Sequence, residues 1–180
     1  HSNDGRAISE ATSPTGFGFE AAIIDNLNLA FDTKVSRDGA HSCAINGSAG
    51  MVCRFNDEAG NTRFILSIEW TLCHFLNAGL SGGGMQGIQS DIASRRTTHK
   101  FRENIKEIAN IIRGVCRTRV DEDMHFGTLV YRGDGGLRHE SWKRLLASRA
   151  FKNARRYDIG IRVGGLGVGG LTMHHLSDND

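Results

Sequence analysis

Phe64-Ile65-Leu66-Ser67-Ile68 is the segment that most narrows what this chain can fold into. A run this apolar, built from β-branched and aromatic residues, reads as a strand near the middle of a sheet. Upstream, a polar, glycine-containing loop separates it from Val52–Phe55, and Asn46-Gly47 gives a turn signal before that. These pieces together read as an antiparallel meander.

The helical signals have a different period. Phe101, Ile105, Ile108, Ile112 and Val115 form one apolar stripe, with Glu103 and Glu107 against Lys100, Lys106 and Arg113 on the solvent side. Ile23, Ile24, Leu27, Ala30 and Phe31 predict a helix over 19–33, and short helices follow around Thr71–Gly79 and Met85–Arg96. His125–Tyr131 reads as a strand, residues 138–156 as a basic helix, and Tyr157–Val163 as a final strand. The expected class is α+β: an antiparallel sheet with helices packed on one face, a two-layer sandwich. The expected organisation is a flexible arm over 1–16, a single domain over 17–170 and a flexible tail over 171–180.

Length and composition support that division. A chain of 180 residues forms one domain and can bury a core without staples. With a single proline against 23 glycines, its loops must turn on glycine. No apolar run approaches the roughly 20 residues a membrane-spanning helix needs. Gly165-x-Gly167-x-x-Gly170 has the spacing of a dinucleotide loop, yet only "LTMHHLSDND" follows it, too short for the helix such a loop requires. It reads as a flexible exit from the last strand, and no cofactor is expected. His174, His175, Asp178 and Asp180 could in principle hold a metal, but adjacent histidines on a strand face opposite ways, so no metal site is expected.

Four cysteines, Cys43, Cys53, Cys73 and Cys116, lack any Cys-x-x-Cys spacing. An even, sparse set of this kind fits two disulfides in an exported protein. Three pairings are open, with Cys43–Cys53 and Cys73–Cys116 favoured. Three further features are compatible with secretion: His1 in place of Met, as after leader removal or trimming; the Asn46-Gly47-Ser48 glycosylation sequon; and the Arg95-Arg96 pair that processing proteases cut. An N-terminal histidine also resembles the first copper ligand of polysaccharide oxygenases, but nothing else here matches that motif.

Charge is unevenly spread. Residues 1–96 carry a net −3 and residues 97–180 a net +5, so the second half could meet an anionic partner. Arg138, Lys143, Arg144, Lys152, Arg155 and Arg156 are the candidate binding residues. For hydrolytic chemistry, Glu69 and His125 as a general acid–base pair, with Arg132 over a phosphate, would form a nuclease-type site if the sheet brought them together. Aromatics for base stacking are few, which argues against nucleic acid as the partner.

"FRENIKEIANIIRGVC" followed by "YDIGIRV" resembles fungal and virally encoded killer toxins and related effectors, where an amphipathic helix ending in cysteine precedes a last strand. The resemblance covers about residues 101–163 and implies a small secreted α/β sandwich without catalytic activity. It would act by binding a target-cell surface, membrane or receptor. The alternative expectation is a secreted hydrolase, a nuclease using Glu69, His125 and an arginine.

Overall fold

The computed structural model describes residues 17–82 and 85–177. Along these residues run α1 (Phe17–Ala30), β1 (Val35–Arg37), β2 (Ala49–Asn56), β3 (Thr62–Glu69), α2 (Trp70–Ser81) and α3 (Ile88–Ser94). Then come α4 (His99–Val120), β4 (His125–Tyr131), a 3-10 turn (Gly136–Arg138), α5 (Glu140–Ala147), α6 (Arg149–Lys152), β5 (Arg155–Val163) and β6 (Gly167–His175). The six strands form one sheet in the order β1-β5-β6-β3-β2-β4, and every neighbouring pair is antiparallel. The class is α+β, an antiparallel sheet with helices packed against it, as the sequence pattern predicts.

The apolar strand sets the centre. β3 lies between β6 and β2 and is buried at every position from Arg63 to Ile68. Phe64, Leu66 and Ile68 face the layer of α1, α2 and α4, where they join Ile23, Leu27, Leu72, Ile105, Ile108 and Ile112 in the main core. Each such side chain, fully withdrawn from water, contributes roughly 1.5–3 kcal/mol. The stripe on α4 is therefore the main force that holds the helix against the sheet. Thr98 caps its start by accepting a hydrogen bond from the Phe101 amide at 3.1 Å. Asp121, in the left-handed conformation at φ 53°, ends it.

Ile65 points the other way, into a smaller cluster with Val52, Val130, Trp142 and Leu176. α5 and α6 cover this part of the second face. The single basic helix expected over 138–156 is thus two short ones, because Ser148 adopts an extended conformation (ψ 155°) between them. Its hydroxyl donates to the Leu145 carbonyl at 2.6 Å and accepts from the Phe151 amide at 3.2 Å, closing one helix and opening the next.

The glycine run is the main correction to the expected organisation. It is not an exit from the fold: Gly167–His175 is β6, hydrogen-bonded to β5 on one side and β3 on the other. Leu176 follows, 1% exposed, its amide donating to the Arg63 carbonyl at 2.8 Å. The tail expected from residue 171 is accordingly part of the sheet through residue 175, and residues 178–180, like the expected arm over 1–16, lie outside the described residues.

Why the strand is so rich in glycine follows from what crosses it. After β1 the chain passes over the second face of the sheet, and a Cβ at Gly170 would sit 2.9 Å from the His41 carbonyl oxygen. On the opposite face a Cβ at Gly169 would lie 2.6 Å from Leu72 Cβ of α2. At Gly160 of β5 a side chain would overlap the Asp38 carbonyl. Backbone passes close to backbone here, and only glycine permits it. The crossing segment is held by its own bonds: Asp38 and Gly160 exchange N–H to O=C with Gly160 and Gly39 at 2.8 and 3.0 Å, and Cys43 N–H donates to Thr172 Oγ1 at 2.8 Å.

Gly160→Ala is expected to lower stability in urea denaturation by about 1–3 kcal/mol or more, through overpacking against Asp38. Gly114→Ala, on an exposed position of α4 with open space around it, should instead be neutral or stabilising by up to about 1 kcal/mol. Equal effects at the two positions would contradict the close-crossing account.

Candidate functional site

The residues expected to make a nuclease site are not assembled. Glu69 ends β3 opposite Ala49, whereas His125 begins β4 opposite Asn56, at the other end of β2. Seven strand positions of about 3.3 Å each separate them by roughly 23 Å. Glu69 is engaged locally, accepting from Thr71 Oγ1 at 2.8 Å and from the Gly170 amide at 3.4 Å. Arg132 shares the Glu69 end and lies over the Trp70 ring at 5.6 Å, far from His125. The nuclease reading is withdrawn on this geometry.

The disulfides are corrected as well. All four cysteines are free and buried. Cys53 faces the core from β2, Cys73 lies on α2 and Cys116 on α4, while Cys43 belongs to the crossing segment itself. Their electrostatic neighbours are Cys43 with Cys73 and Cys53 with Cys116, not the expected pairs. Burial pushes the Cys43 thiol up to about 11 and raises the other three, so none is an activated nucleophile.

The remaining candidates are scattered. Asn46 is exposed in the turn before β2, and Arg95 and Arg96 are exposed after α3. Arg138, Lys143, Arg144, Lys152, Arg155 and Arg156 are all exposed, from the 3-10 turn through α5 and α6 to the start of β5. His1 lies outside the described residues. His174 and His175 belong to β6, where His175 stacks on Phe64 (4.3 Å) and His174 lies against Phe151 (4.8 Å) on the other face. Among the described residues no group of three or more histidines, cysteines and carboxylates is placed to hold a metal.

What the fold does build is a groove between α4 and the edge strand β4. It has a volume of about 700 Å³ and is lined by His99, Arg102, Glu103, Lys106, Glu107 and Asn110 of the helix and Phe126 and Tyr131 of the strand. Two arginine–aromatic contacts fix its ends. Arg102 lies over the Tyr131 ring at 4.6 Å, and the Tyr131 hydroxyl donates to the Arg102 carbonyl at 2.7 Å. Arg113 lies over the Phe126 ring at 5.2 Å and donates to the Met124 carbonyl at 2.7 Å.

The spacing is a matter of geometry. Eleven helical residues rise about 16.5 Å, and five strand residues span about the same. With α4 antiparallel to β4, Arg102 and Arg113 therefore meet Tyr131 and Phe126 in step. Arg102 is held further by a forked pair with Asp134, at 2.9 and 3.2 Å, and by Thr97 at 2.7 Å. Burial pushes the Tyr131 phenol up to about 12, so it stays a neutral donor.

Chemically, the groove offers alternating charge over an aromatic floor. β4 is an edge of the sheet and has a ladder partner on one side only. Its lining includes no cysteine, serine or threonine. The sequence had marked Glu103, Lys106 and Glu107 only as a solvated helix face. The usable signal was the matched spacing of Arg102 and Arg113 with Phe126 and Tyr131, visible once helix and strand are known to be antiparallel.

Comparison with known proteins bears on the fold. No protein-family model matches the chain, and no curated protein matches it by sequence. Among solved structures, similarity extends to a chain of the CheX–CheY–BeF3–Mg2+ complex from Borrelia burgdorferi, at TM-score 0.52 and 9% identity, covering 88% of this chain and 96% of that one. FliY from Thermotoga maritima gives 0.55 at 9% identity, over 89% and 85% of the two chains. A chain of the FliM–SpeE complex from H. pylori gives 0.54 at 8% identity, over 97% and 86%.

These likenesses correct the killer-toxin reading. The helix–strand pattern over 101–163 belongs to a fold shared, across nearly the whole chain, with FliY and with chains of the CheX–CheY and FliM–SpeE complexes. With free, buried thiols in place of disulfides, the expectations of a secreted fungal toxin or effector and of a target-cell surface or receptor as partner fall with it.

Two measurements check these assignments. Thiol titration should find no accessible cysteine in the native protein and four after denaturation, without reductant; fewer than four would restore a disulfide. His174 is the second. Burial first, and Arg156 opposite it on β5, lower its pKa to about 4, so the fold favours its neutral form. The unfolded chain then binds the proton first, near 6.5. Stability is full above pH 6.5 and should fall by roughly 3 kcal/mol as pH drops toward 4. His174→Asn should flatten that slope in denaturation curves taken across the window.

Proposed function

We propose that this chain is a non-catalytic protein-interaction component of a chemotaxis or flagellar-switch assembly, working in the cytoplasm with partners from such assemblies. The observation that carries this reading is the likeness of the fold over 88% of this chain and 96% of a chain crystallised as part of a CheX–CheY complex. A second structure with the same fold is likewise of a complex, FliM with SpeE. The α4–β4 groove supports it: an exposed strand edge beside a helix of mixed charge suits docking of an extended segment or helix of another protein.

The test is calorimetric titration of a CheY protein onto the chain, with and without beryllofluoride and Mg2+. Binding is expected, and Lys106→Glu combined with Glu107→Lys in the groove should weaken it about tenfold without loss of fold. No binding to CheY in either state, nor to FliM or FliY, would overturn the proposal.

A further inference from the structure

We propose that α5, α6 and the start of β5 form a second docking face, for an acidic protein segment, on the side of the sheet opposite the α4–β4 groove. Between Arg138 and Arg156 the chain carries seven arginines and lysines against one acid, Glu140. That is a net +6 within a chain of net +2, so the rest of the molecule is net negative and the positive charge is concentrated here.

Little of it is neutralised internally. Arg144 pairs loosely with Glu140 at 3.9 Å and Arg156 with Asp158 at 3.0 Å. Arg138, Lys143, Arg149, Lys152 and Arg155 are exposed and form no ion pair among the described residues. Five unpaired cations held close together repel one another, a cost that an acidic partner would relieve.

The supports are rigid. Trp142 is completely buried against Val52, Ile65, Val130 and Leu176, and Ser148 fixes the angle between the two helices. The cations therefore project from a pinned backbone, so binding has to order their side chains but not the helices that carry them.

The same packing selects among anionic partners. Trp142 is sealed away and Phe151 rests on His174, so apart from the exposed His139 imidazole the face offers no ring for stacking on a base. The large hydrophobic side chains exposed among the described residues are Leu29 and Met85, both on other parts of the chain, so the face has no anchor for a bilayer. Three of the five unpaired cations are arginines, whose forked donors match carboxylates. An acidic protein segment fits all three facts.

The test measures fluorescence anisotropy of a fluorescein-labelled Glu/Ser peptide with the full chain. Binding should weaken steeply with added NaCl and drop about tenfold in the Lys143→Glu/Arg149→Glu/Lys152→Glu variant. Should that variant fail to fold by near-ultraviolet circular dichroism, Lys143→Gln/Lys152→Gln should give a smaller loss in the same direction. The groove exchange of Lys106 and Glu107 should leave peptide binding unchanged, so this result stands or falls apart from CheY binding. Undiminished binding by the variants would overturn the proposal. So would tighter binding to phosphatidylserine-containing vesicles or to single-stranded RNA than to the peptide. Salt-sensitive self-association in sedimentation velocity would do so as well, by making a second copy of the chain the occupant.

Discussion

Everything in this structure depends on how closely backbone approaches backbone at the middle of the sheet. β6 joins the β5 side of the sheet to the β2–β3 side, and it is crossed on one face by the segment after β1 and on the other by α2. Gly160, Gly169 and Gly170 let these layers touch at a distance that any side chain would prevent. With that contact made, β3 becomes central, its apolar residues are covered on both faces, and the helical layer has a fixed surface to rest on. The density of glycine that suggests a phosphate loop or a loose end is thus a packing device.

The second dependence is between α4 and β4. Hydrophobic burial of Ile105, Ile108 and Ile112 brings the helix onto the sheet without specifying where along it. The directional contacts do that: Arg102 with Tyr131 and Asp134, Arg113 with Phe126 and the Met124 carbonyl. Because the helix and the edge strand are registered at both ends, the groove between them has a defined width and a fixed pattern of charge. Specificity on that side of the molecule would rest on a few guanidinium–ring contacts rather than on the core.

Much of the architecture is legible in the residues. The period-two and period-3.6 signals place β2, β3, β4, β5 and the long helix, because each has one strongly apolar face and clear punctuation. β1 is only three residues, too short for a pattern, and it is specified from a distance by the Asn28 side chain, which bonds both the amide and the carbonyl of Val35 at 2.7 and 2.6 Å. β6 is hidden for the opposite reason: its glycines carry no period, since their role is set by what crosses them. The groove is less legible still. Its residues come from two segments whose relative direction is a property of the topology. The cysteines mislead because an even count is silent about distance, and here all four are core residues.

The strand order has a consequence for how the chain is made. β6 comes after the other five described strands in chain order, yet it bonds to both β3 and β5, and β3 waits more than a hundred residues for it. Until that strand is released, the β2–β3 hairpin presents an unpaired apolar edge, and the two sides of the sheet have nothing to join them. A nascent chain of this topology cannot complete the sheet stepwise as it emerges; it closes late, around β6. Chains stalled short of β6 would expose the very edge that the finished molecule buries deepest, and would be marked for aggregation or capture by chaperones.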